Sequence, residues 1–206
     1  MKLTTLMLIL LAQASAAQTH SEIQACVQTT PNVSVDLPRA KYLSAGLLAS
    51  AGVALQWIPC GQRGHRPDLI VIEPRNGVPE FIHPGALAYA MAFTGTQIVV
   101  MPDRVKKTYP EYSALVLAYV LAHELAHVLS RTESHSASGI MKANWNLRDL
   151  NEMVRGTLGF TADDIQLIQS GLASGNRSLN SDTASKAIAQ PLPGGRGSAR
   201  TSEPRP

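Results

Sequence analysis

The sequence predicts an α+β fold, a small sheet packed against helices. Three observations carry this reading. Apolar residues recur at helical spacing early in the chain and again in its second half. The segments between them alternate, or run as short aliphatic stretches bounded by Gly, Pro and Asp, as strands do. The elements also come in the order helix, then strands, then helices, which suggests an α+β domain.

Residues 23–27 and 33–35 are short strand-like pieces separated by Thr29-Thr30-Pro31-Asn32. Asp36 then reads as a helix cap with Pro38 in the first turn. Ala40, Leu43, Leu47 and Leu48 follow at helical spacing until Gly52. Residues 53–58 alternate as a strand with Trp57 on one face, 62–67 form a polar loop, and 68–73 form a second strand stopped by Pro74. Residues 75–93 read as a loop with a short turn of helix. Residues 96–101 (TQIVVM) form a third strand, ended by Pro102-Asp103 and nominated as the edge of the sheet. Tyr109-Pro110-Glu111 opens the longest helix, which runs to about Ser130. Residues 151–156 and 161–172 supply the last helices, and Thr161 with Asp164 resembles a capping box.

The two ends read differently from this domain. Lys2, the apolar run 3–12 and Ala14-Ser15-Ala16 form the three parts of a secretory signal, so 1–17 is expected to be removed. Residues 175–206 are rich in Ser, Gly, Pro and Arg and are expected to form a disordered tail. The folded domain is then 18–174, in a protein that is secreted or periplasmic and monomeric. In an oxidising compartment the only two cysteines, Cys26 and Cys60, are expected to bond.

The division also settles the charge. The 206-residue chain carries a formal net charge of +3, but 18–174 holds 12 basic and 13 acidic residues. Without a basic excess, and with 5% aromatic residues, a nucleic-acid partner is not expected. Nor is a membrane span expected after signal removal. The stretch 113–130 is apolar enough, but His123, Glu124 and His127 lie within it. A charge at the bilayer centre costs roughly 2.5–3.5 kcal/mol even on the lenient scale.

Those residues carry the chemistry. His123-Glu124-Leu125-Ala126-His127 is an H-E-x-x-H sequence within a helix. Residues four apart share a helix face, so both imidazoles can reach one ion, while Glu124 lies beside it as a general base. Imidazole suits zinc, and a three-ligand site leaves a place for water. Half of the six histidines fall between 123 and 135, and Gly139-Ile140-Met141 follows. His20, His65 and His83 lie in polar or Pro-rich segments and read as exposed rather than as ligands.

The segment resembles the metzincins, zincin-type metallopeptidases whose motif H-E-x-x-H-x-x-G-x-x-H is followed by a Met-turn. Here the motif's glycine position holds Ser130 and its third-histidine position holds Glu133; His135 comes two residues later. A nearer likeness is to small uncharacterised exported bacterial proteins of metzincin type. They have an extended spacing, a serine-flanked histidine, a G-I-M turn and a tryptophan, matched here by Ser134-His135-Ser136, Gly139-Ile140-Met141 and Trp145. The specific part of the likeness spans 111–145, with weaker agreement over most of the domain.

The resemblance implies a zincin-like fold, a small mixed sheet with a first helix, a long active-site helix and C-terminal helices. It also implies one zinc ion held by His123, His127 and His135, with Glu133 as the competing third ligand. Met141 would lie in the Met-turn, Glu124 would act as general base, and Trp145 would pack in the core. The implied activity is hydrolysis of peptide or protein substrates, as an endopeptidase rather than an exopeptidase. The alternative is a non-catalytic zinc-binding envelope protein whose metal site is filled.

Overall fold

The computed structural model describes residues 21–28, 37–61, 68–77, 82, 85–91 and 96–188. The expected signal, strand piece 33–35, helix cap Asp36, the three other histidines and the end of the tail fall outside these residues. The elements are β1 (Ser21–Val27), α1 (Leu37–Ala49), β2 (Val53–Trp57), β3 (Ile70–Pro74), β4 (Ala88–Ala90), β5 (Gln97–Val100), α2 (Pro102–Thr108), α3 (Ser113–Ser130), α4 (Leu147–Arg155) and α5 (Ala162–Ile188).

The sheet is mixed, as expected, with strand order β2-β1-β3-β5-β4. Four strands run parallel and β4 alone pairs antiparallel, with Ala88, Tyr89 and Ala90 opposite Val100, Val99 and Ile98. Cys26 at the end of β1 is bonded to Cys60 just beyond β2, so the disulfide joins neighbouring strands.

Two expectations require correction. The strand 96–101 is not the edge: β5 is flanked by β3 and β4. Its Ile98, Val99 and Val100 are all buried, the unbroken apolar pattern of an interior strand. The edge on that side is β4, inside the segment expected to be a loop. Only Tyr89 of its three residues favours a strand, and the pairing to β5 comes from tertiary context. The stop signal Pro102-Asp103 is also the first turn of α2, with proline at the helix start and Asp103 at its positive end. Helix α5 continues past residue 174 to Ile188. Residues 176–188 contain neither Gly nor Pro, so nothing there breaks the helix.

Helix α3 is the axis of the molecule. It packs against α1, α2, α4 and α5 and against β4 and β5. Every residue from Val116 to His127 is buried, which explains an apolar circumference on a helix of membrane-crossing length. Its approach to α5 is close. A side chain on Gly171 would overlap the Leu129 carbonyl, so this glycine sets the spacing of the two helices.

A candidate metal centre at the end of the core helix

Helix α3 carries His123, Glu124 and His127 in its last two turns, all three buried. The helix ends where Arg131 takes a left-handed conformation (φ 55°, ψ 41°) and its N–H bonds the His127 carbonyl. Ser130, at the motif position that holds glycine in the metzincins, is still helical and bonds back to the Ala126 carbonyl at 2.6 Å. The reversal thus comes one residue beyond that position, and the following strand of chain brings His135 rather than Glu133 to the helix. The three imidazoles of His123, His127 and His135 present nitrogens that all lie within 4.8 Å of one another. The Glu133 carboxylate is outside this group and lines a cavity beside it.

The two helical histidines are fixed from behind. His123 Nδ1 lies 2.8 Å from the Ile140 carbonyl, and His127 Nδ1 lies 2.7 Å from the Thr132 carbonyl. A carbonyl can only accept, so both Nδ1 atoms carry the proton and both Nε2 atoms present lone pairs. These Nε2 atoms face each other at 3.0 Å. Two lone pairs at that distance can be shared by one cation. A tetrahedral zinc with bonds of ~2.0–2.1 Å would separate its nitrogens by roughly 3.4 Å, so the pair fits with a few tenths of an ångström of opening. The donor set, three imidazoles with two of them oriented by backbone carbonyls, is also that of zinc sites.

Electrostatics favour the same state. Burial lowers the His123 pKa to about 4, against the pull of the Ile140 hydrogen bond, and burial also lowers that of His127. Both rings are therefore neutral at pH 7 and hold no second proton that an ion must displace. Burial pushes the Glu124 carboxyl up to about 8. A cation beside it would favour the ionised form that a base requires.

The Met-turn takes part through its backbone. Gly139 has φ 77°, and a side chain there would meet the Gly159 carbonyl at 2.6 Å. The turn it permits presents the Ile140 carbonyl to His123. Met141 is buried one residue further on, in the hydrophobic core. Trp145, expected only as a core residue, stands edge-on to the His123 ring at 5.7 Å and to Tyr119 at 6.4 Å.

Two cavities flank the histidines. The larger, about 460 Å³, lies between Leu87, Val120, Ala143 and Trp145, with Lys142 and Asn144 among its polar lining. The smaller, about 180 Å³, is lined by Tyr89, Ala90, His127 and Glu133. Ala88, His123, Glu124 and His135 line both, so the cleft passes over the histidines and along β4. Met101 N–H bonds the Leu87 carbonyl and Met91 N–H bonds the Gln97 carbonyl. By the alternation of an antiparallel ladder, the backbone N–H and C=O groups of Ala88 and Ala90 then point away from β5, on the outer edge. Sequence reasoning missed this strand because no β-branched residue marks it.

No protein-family model matches the chain, and no curated protein does. Among solved structures, the archaemetzincin of Archaeoglobus fulgidus, complexed with malonate, is similar at 13% identity and a TM-score of 0.46, over 71% of this chain and 99% of that one. The archaemetzincin of Methanopyrus kandleri is similar at 13% identity and a TM-score of 0.52, over 78% of this chain and 99% of its own. This chain therefore has an archaemetzincin-like fold.

Proposed function

We propose that the protein is an exported zinc-dependent endopeptidase. The observation that carries this is the convergence of three imidazoles, His123, His127 and His135, beside the buried carboxyl of Glu124 and over a cleft open on both sides. When bound, zinc supplies Lewis acidity that polarises a peptide carbonyl and makes water nucleophilic at neutral pH. Glu124 takes the proton of the attacking water on its carboxylate and returns it to the leaving amine. Peptide N–H and C=O groups can pair with those of Ala88 and Ala90, which orients the substrate across Glu124. Cavities on both sides of the histidines leave room for chain in both directions, which favours internal cleavage.

The filled-site alternative is less well supported. Among the described residues the group of possible ligands has three members, which leaves a fourth position for water. Export is supported by the Cys26–Cys60 disulfide, which persists in oxidising compartments.

The test is hydrolysis of a mixed peptide library by zinc-loaded protein. The expected result is internal cleavage, abolished by chelation and by Glu124→Gln, with zinc still bound to the variant. Full zinc loading without hydrolysis would favour the non-catalytic alternative, and undiminished hydrolysis by Glu124→Gln would remove Glu124 as the base.

A further inference from the structure

His123 and His127 are each fixed by a carbonyl behind the ring, but His135 is exposed, and no hydrogen bond to its ring is found among the described residues. Something else must hold it in register with the other two. The neighbouring residue is anchored. Ser136 Oγ donates to Asp164 Oδ1, and Ser136 N–H donates to the Met141 carbonyl at 2.8 Å. Asp164 is itself fixed. It is 4% exposed, its Oδ2 accepts the Thr161 N–H at 2.8 Å, and its own N–H bonds Thr161 Oγ1 at 3.2 Å. This is a capping box, so the carboxylate that grips Ser136 is locked to the first turn of α5.

The far end of the same turn is held in the same way. Ser136 pairs with Lys142 as an isolated β-bridge. Lys142 Nζ donates to Asp149 Oδ2 at 2.6 Å, and Asp149 is the third helical residue of the capping box at the start of α4. Each of the two paired ends of the turn therefore meets a buried aspartate that belongs to a helix cap. A cap needs only one acceptor for its backbone donor. Both aspartates use further capacity to grip the loop.

We propose that Asp164, acting through the Ser136 hydroxyl, is a positioning residue for His135 and so sets the strength and geometry of the metal site. The inference rests on the reading of His135 as third ligand. The Ser136 hydroxyl touches neither metal nor substrate in this arrangement. It fixes the backbone from which the imidazole projects and removes the entropy of a free loop from the binding equilibrium.

Ser136→Thr keeps the hydroxyl, while Ser136→Val has nearly the same shape without it, and Ser136→Ala removes it with least bulk. None of the three disturbs the bond between Asp164 and Thr161. Zinc affinity is measured by chelator competition, and coordination by the visible spectrum of the cobalt-substituted protein. Both are also measured for His135→Ala. Weakening by about 10- to 100-fold is expected for Ser136→Ala and Ser136→Val, with an altered cobalt spectrum, and near-wild-type values for Ser136→Thr. If His135→Ala loses affinity but Ser136→Ala and Ser136→Val match the wild type in both readouts, the positioning role is overturned and the third-ligand reading stands. If His135→Ala itself matches the wild type, the ligand reading fails and takes the positioning role with it.

Discussion

The candidate metal centre is assembled from two regions of unlike character. One is the end of α3, where His123, Glu124 and His127 are buried in a continuous helix and the two rings are pinned by carbonyls. The other is the loop after Arg131, where Glu133 and His135 are exposed and order comes from contacts with α4 and α5. The helix supplies geometry by its own periodicity. The loop supplies it only when distant parts of the chain have docked. The two halves should therefore respond differently to mutation, pH and metal.

The largest difference is expected in the ligands. His123→Ala or His127→Ala should lower zinc affinity by about a thousandfold or more, because each removes a preorganised ligand. His135→Ala should cost less, on the order of a hundredfold, since its exposed ring, unlike the other two, has no carbonyl found behind it among the described residues to fix its rotamer. Chelator competition on the three variants measures this. Equal losses would mean that the loop is as preorganised as the helix.

Next is the price of a buried acid in the helical half. The Glu124 carboxyl is raised from 4.5 to about 8 by burial, so its contribution to stability is intact below pH 4.5 and is lost as pH rises toward 8. Metal-free Glu124→Gln should match the wild type near pH 4.5 and exceed it by several degrees in Tm at pH 8. His123, lowered from 6.5 to about 4, works in the opposite sense. Its stabilisation is present above pH 6.5 and is lost as pH falls toward 4. Thermal melts of the metal-free proteins across pH 4–8.5 check both signs. A Tm difference between Glu124→Gln and wild type that does not change with pH would contradict the burial of that carboxyl.

The smallest effect is expected at the junction. Arg131 is the sole non-glycine residue with positive φ among those described. Holding a side chain there costs roughly 1–2 kcal/mol, and glycine would relieve this while adding unfolded-state entropy. Arg131→Gly should therefore raise the unfolding free energy by about 0.5 kcal/mol, read by denaturant titration. A loss of stability would show that the Arg131 side chain contributes more than its strain.

The same contrast explains what the sequence made legible. His123, Glu124 and His127 lie at fixed helical spacing, so residue type and separation suffice to place them on one face. The strands β1, β2, β3 and β5 were legible from short aliphatic runs, and the Thr161–Asp164 box from its spacing. Strand β4 was not, since a single tyrosine between two alanines is too short a run to mark a strand. Nor was the choice between His135 and Glu133, which depends on where the helix stops. A left-handed arginine gives no sequence signal, as glycine would. The grip of Asp164 on Ser136 spans 28 residues and has no local trace.

X-ray absorption at the zinc edge of the loaded wild-type protein tests the central claim most directly, because it gives donor number and distance and recognises imidazole by scattering from its outer ring atoms. Three imidazoles with nitrogens at ~2.0–2.1 Å and one further light-atom donor, which added bromide replaces, are expected. Two imidazoles with a carboxylate, or four protein donors with no exchangeable position, would contradict the three-histidine open site.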